Sequence, residues 1–175
     1  VNSSHNFFSL FELSQSSEVD VVLLEQRYKQ LQAQLHPDRH VNSAGGSKLA
    51  AVQHASLLND AYATLKSPLR RAEHLLQLKG IDTSVYIQAD LDKDFLLAQL
   101  KLREDLEELQ LQAQPEALEA LQKNVEKVLA ASWTKFTALF AGSHYRGAYL
   151  AFRELQFLHK LIDEIREAED RLLDY

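Results

Sequence analysis

The chain holds no cysteine. Disulfides, thiolate metal ligands and cysteine nucleophiles are therefore excluded from it. Methionine is missing as well, even at position 1. Glycine and proline are sparse, five and three among 175 residues, so little interrupts long helices. No apolar run reaches the roughly eighteen residues that a membrane span needs. The first residues, Val1-Asn2-Ser3-Ser4-His5, have neither the basic start nor the apolar stretch of a signal peptide. These absences lead us to expect a cytoplasmic protein with no cofactor and no metal.

Apolar residues make up 46% of the chain, enough for a buried core in one larger domain or two small ones. The net charge of −6 is unevenly placed. Residues 1–79 hold 8 Lys and Arg against 7 Asp and Glu, whereas residues 80–175 hold 11 against 18. Broad electrostatic binding to nucleic acid needs a basic face, and this balance argues against one. It suggests two halves with different partners.

Helical spacing organises both halves. Phe7, Phe8, Leu10, Phe11 and Leu13 form an apolar cluster, read as a short helix or turn that docks onto the segments after it. Leu24, Tyr28, Leu31 and Leu35 repeat at intervals of four, three and four, which predicts a helix over 20–35 with Asp20 as its N-cap. Pro37 stops it, because proline lacks an amide hydrogen and restricts its predecessor. Ala51, Ala55, Leu58, Tyr62 and Leu65 predict a second helix over 47–65. Ser67-Pro68 reads as a cap with proline in the first turn of a short helix that ends near Lys79. Gly80 is a natural stop, and the domain boundary is placed at 80–87. Three longer helices come next, over 90–112, 115–140 and 145–173. Pro115 and Ala141-Gly142-Ser143 mark the breaks between them. Short connections between long amphipathic helices favour an antiparallel bundle. The fold class expected is all-α.

Few residues offer chemistry. Gly45-Gly46 lacks the lysine-serine pattern of a phosphate loop. Ser9, Ser143 and His144 have no triad context. His36 and His40 are four apart, but Pro37 disrupts the helix that would align them, and no third ligand stands near. The tripeptide His36-Pro37-Asp38 is by itself an ordinary helix stop. On a wheel of the helix over 90–112, Phe95, Ala98, Leu102, Leu106 and Leu109 fall within about 40° of one direction, the core stripe. Leu97, Leu100, Glu104, Glu107 and Leu111 fall within about 40° of the opposite pole, with Leu96 and Glu108 on the flanks. The second apolar stripe is either buried between the two halves or an exposed patch with an acidic rim, which marks a partner site.

A histidine, a rigid proline and an aspartate between two amphipathic helices, followed by Leu58-Asn59-Asp60-Ala61-Tyr62, resemble the J-domain of co-chaperones. With Phe95-Leu96-Leu97 leading into Gln99-Leu100-Lys101-Leu102-Arg103-Glu104-Asp105-Leu106, the chain as a whole is similar to bacterial members of the HscB family of iron–sulfur co-chaperones. The resemblance implies an N-terminal J-domain helical hairpin over 1–79, a linker over 80–87, and a C-terminal three-helix antiparallel bundle over 88–175. It implies a protein that is not an enzyme. Through His36, Pro37 and Asp38, with Arg27, Lys29 and Arg39 as a basic surface, it would stimulate the ATPase of an HscA/DnaK-class chaperone. Through Leu96, Leu97, Leu100, Lys101, Glu104, Glu108 and Phe157 it would hold an IscU-type iron–sulfur scaffold protein. Two positions depart from the family pattern: Lys101 stands where an acidic residue is usual, and Leu97 where methionine can occur. The competing reading is a non-enzymatic helical binding or nucleic-acid regulatory protein with a degenerate J-domain. It needs a basic recognition helix, and the helix over 47–65 carries only Lys48 as a cation.

Overall fold

The computed structural model describes residues 6–34, 46–84, 93–112 and 114–173, the side chains of 46–48 and 173 excepted. Among these residues the structure is all-helical. Its elements are α1 (Phe7–Leu10), α2 (Val21–Gln34), α3 (Gly46–Lys66), α4 (Pro68–Leu78), α5 (Lys93–Gln112), α6 (Pro115–Ala141) and α7 (Tyr145–Leu173). The chain divides into two compact units, Val1–Gly80 and Ile81–Tyr175. Among the described residues no helix is long and apolar enough to cross a membrane.

In the first unit each helix start has a local cause. The Asn6 side chain accepts from the Phe8 and Ser9 amides and so caps α1. Phe8 and Phe11 then lie fully buried, and α1 packs on α3. Asp20 caps α2 by accepting from the amides of Val22 at 2.9 Å and Leu23 at 3.0 Å. Leu24 is the buried member of the α2 stripe; Tyr28 and Leu31 are half-buried. The hairpin of α2 on α3 is fastened by Tyr28, whose ring stacks on Tyr62 at 4.2 Å and whose hydroxyl donates to Asn59 Oδ1 at 2.9 Å. On α3 the buried stripe is Leu58, Ala61 and Leu65.

Ser67 caps α4 through the Arg70 amide, with Pro68 in the first turn, where its missing N–H costs nothing. Arg71 is buried, yet both of its bonds go to main-chain carbonyls. Its Nε donates to Ser17 O at 2.9 Å, and Nη1 donates to Leu65 O at 2.6 Å. The second carbonyl lies in the last turn of α3, where no intrahelical partner exists. One guanidinium thus ties the segment before α2 to the end of α3. Gly80 ends the unit at φ 78°, a left-handed conformation that glycine takes without a Cβ penalty. Its amide donates to Gln77 O at 2.9 Å, closing the last turn of α4.

The second unit is an antiparallel bundle of α5, α6 and α7. Its core comprises Leu106, Leu118, Leu121, Val125, Leu158, Leu161, Ile162, Ile165 and Ala168, with Leu102, Leu109, Leu129 and Phe157 packed against it. Pro115 occupies the first turn of α6, and the turn into α7 is closed by Ser143 N donating to Phe140 O at 3.0 Å. Trp133 is half-buried, edge-on to Phe136 at 5.9 Å and to His159 at 6.1 Å. Burial holds the His159 imidazole below its ordinary pKa, opposed by the nearby Asp163 carboxylate.

One expectation about α5 fails. Ala98 sits on the stripe aimed at the core, yet it is exposed. The α5 residues that reach the core are Leu102, Leu106 and Leu109, from the middle of the helix onward. At the start of the helix a methyl group is too short to reach the bundle, and the longer Phe95 side chain is itself only half-buried.

Candidate partner-binding surfaces

His36, Pro37, Asp38 and Arg39 lie outside the described residues, in the connection from α2 to α3. The two cations expected beside them are described, and the helix does not bring them together. Tyr28 faces α3, and its neighbours Arg27 and Lys29 each turn about 100° away from it, to opposite flanks of the hairpin. Arg27 is the more buried of the two and pairs with Glu12, fifteen residues earlier. Lys29 is exposed and pairs with Glu25 one turn back, at 2.7 Å. The hydrogen bond between them holds the Glu25 carboxyl below its ordinary pKa and the Lys29 ammonium above its own. Both cations therefore already carry a carboxylate.

The second surface lies on α5 and α7. Leu97 and Leu100 stand in solvent at 65% and 56% exposure, while Leu96 is half-buried. Leucines so exposed on adjacent turns lose the burial that would ordinarily stabilise them, by roughly 2 kcal/mol each when complete. Lys101, Glu104 and Glu108 are exposed on the same outward arc, Glu108 accepting from Gln112 Nε2 at 2.8 Å.

Phe157 of α7 is half-buried and joins this arc at one edge. Its ring meets Phe95 edge to face at 6.0 Å, and the Arg103 guanidinium lies over it at 5.6 Å. Arg103 is in turn held by Glu164 at 3.6 Å, which Lys160 also approaches at 3.8 Å. Phe95 and Arg103 point toward the Leu96 flank of α5. On the helical wheel, the flank that Arg103 shares with Phe157 also carries Leu96 and, further round, Leu100, whereas Leu97, Lys101 and Glu108 turn to the other flank.

Arg103 and Phe95 are contacts that the sequence does not single out as partner residues. A wheel of one helix shows what leaves its core face but not what a neighbouring helix lays there; that needs the register of α5 on α7. Leu111, at 88% exposure, continues the outward apolar line by three turns from Leu100.

Residues 91–166 match the family described as the HSCB C-terminal oligomerisation domain. A protein described as a co-chaperone protein HscB homolog, from Shewanella baltica strain OS155, is 39% identical over 173 residues, spanning 97% of this chain and 99% of the relative. Among solved structures, chaperone HscB from Vibrio cholerae superposes with a TM-score of 0.83 at 39% identity, over 95% of this chain and 99% of the other. Human co-chaperone protein HscB gives a TM-score of 0.84 at 26% identity, over 95% and 83%.

Proposed function

Because the chain belongs to the HscB family of co-chaperones, we propose that it works between two protein partners. Its C-terminal bundle would hold an iron–sulfur scaffold protein of the IscU type. Its J-domain would stimulate ATP hydrolysis by an HscA/DnaK-class chaperone, in the cytoplasm. The protein carries out no chemistry of its own; hydrolysis takes place on the ATPase.

The exposed leucine pair on α5 carries the reading. Leu97 and Leu100 in an acidic setting have the composition of an interface, an apolar centre with a charged rim. Phe157 adds an aromatic anchor whose edge contact with Phe95 and cover by Arg103 reduce its freedom before binding. On the J-domain, proline's ring-locked φ at Pro37 would lower the ordering cost of presenting His36 and Asp38, and Asp38 would offer a carboxylate to a partner arginine. Holding both activities on one chain raises the concentration of scaffold at the ATPase.

The test is single-turnover ATP hydrolysis by an HscA-type chaperone, with the wild type and with His36→Gln, each with and without scaffold. Stimulation that needs His36 and grows with scaffold is the expected result. Scaffold binding should survive His36→Gln. Its loss would contradict the division of labour, and no stimulation by the wild type would end the co-chaperone reading of the hairpin.

A further inference from the structure

Glu12 has an unexpected backbone. With φ at 50° it is one of two non-glycine residues in the left-handed region among those described, Ser143 being the other. That conformation costs an L-residue with a Cβ roughly 1–2 kcal/mol, and glycine would avoid it. The turn holds it there: the Glu12 amide donates to Ser9 O at 3.1 Å and the Leu13 amide to Phe8 O at 2.8 Å, while Phe8 and Phe11 just before it are buried. A strained position is a reason to ask what the side chain does. Here the side chain leaves the turn, 81% exposed, and its carboxylate pairs with Nη1 of Arg27.

We propose that Glu12 is a built-in competitor for Arg27, occupying the guanidinium that a carboxylate of the ATPase chaperone would otherwise take. The inference rests on the assignment of Arg27 to the chaperone-binding face. Docking at that point is then an exchange of carboxylates and not the formation of a new pair. The guanidinium gives up one charged partner as it gains another, so its net contribution is small and its attraction at a distance is muted. Lys29 repeats the arrangement on the other flank with Glu25, but through a routine pair one helical turn apart. Only Glu12 reaches its cation from outside α2, through a turn that glycine would form at lower cost.

The chaperone's ATPase is titrated with full-length wild type, Glu12→Gln, Glu12→Gly, Glu18→Gln, Arg27→Gln and the Glu12→Gln/Arg27→Gln double variant. Glu18→Gln is the control: it removes the same charge from an exposed site nearby, one whose influence falls on Arg71. At low salt, both Glu12 variants should lower the half-saturating concentration about two- to fivefold, the scale of an exposed ion pair. The gain should fade as salt is raised, since screening removes it. Glu18→Gln should change little, and Glu12→Gln should add nothing in the Arg27→Gln background. Equal gains from Glu12→Gln and Glu18→Gln would reduce the effect to overall charge and overturn the competitor. So would a Glu12→Gln gain that persists without Arg27, or no gain while Arg27→Gln weakens stimulation. If Arg27→Gln leaves half-saturation unchanged even in the Glu12→Gln background, where nothing competes for the guanidinium, the assignment of Arg27 to the chaperone face fails first, separately from the competitor.

Discussion

His74 couples the first unit to pH through a single nitrogen. Its Nε2 accepts from the Phe7 amide at 3.3 Å while its ring stacks on Phe7 at 4.4 Å. Burial lowers its pKa below the ordinary 6.5, with the Asp60 carboxylate opposing. As pH falls, the unfolded chain binds this proton before the folded one does. The contribution is therefore complete above about 6.5 and is lost as pH drops through the lower, folded value. Urea titrations from pH 7.5 to 5 should show stability falling across that window. His74→Gln, which keeps an acceptor but does not titrate, should flatten the curve; an unchanged slope would remove His74 as a cause. For Arg103 the expected effect is on binding instead of folding. Replacing it with leucine removes the cation above Phe157, an interaction worth about 0.5–1 kcal/mol where solvent reaches it. Scaffold affinity should fall roughly two- to fivefold with circular dichroism unchanged, and Arg103→Lys should restore part of it.

At the scale of the helix, α5 holds most of the surface proposed to bind the scaffold. Leu96→Ala, Leu100→Ala and Phe157→Ala together should weaken scaffold binding about 100-fold or more, since a few apolar anchors dominate interfaces. Calorimetry showing unchanged affinity, with the bundle still folded, would move the site elsewhere. Lys101→Glu should strengthen binding to a basic scaffold surface and should do so less at high salt. Ser67→Ala should destabilise the first unit by about 1 kcal/mol, because the Arg70 amide loses its acceptor. Most of this layout is legible in the sequence. Asp20, Ser67, Pro68, Gly80 and Pro115 are local signals: each acts on its own turn, so a linear pattern suffices to read it. The outward stripe of α5 is legible for the same reason, as a wheel needs only spacing. What escapes such a reading depends on another segment. Ala98 misses the core because α5 meets the bundle from Leu102 onward. Arg103 and Glu12 find partners 54 and 15 residues away, and no spacing rule within one helix encodes such pairs. Arg27 and Lys29 read as one basic surface in sequence, yet Tyr28 between them faces α3 and sends them to opposite flanks.

Over the whole molecule, the division at Gly80 separates a nearly neutral unit from one that carries the excess of acid. If one chain delivers the scaffold to the ATPase, the connection sets the effective concentration of each partner at the other. Inserting about 20 Gly/Ser residues after Gly80 should leave scaffold affinity and J-domain stimulation as they are, while lowering the extra stimulation by scaffold. Full retention of that extra stimulation would mean that the two activities need no tether. The chain's single tryptophan offers a way to watch one unit alone. Trp133 belongs to the bundle, and residues 1–80 contain no indole. Its emission, excited at the red edge where tyrosine is silent, is a private optical channel for the second unit. The imidazole of His159 lies edge-on at 6.1 Å, and an imidazolium quenches an indole more strongly than the neutral ring does. The fluorescence of the intact protein should therefore dim on acidification below His159's ordinary 6.5, with no dye attached.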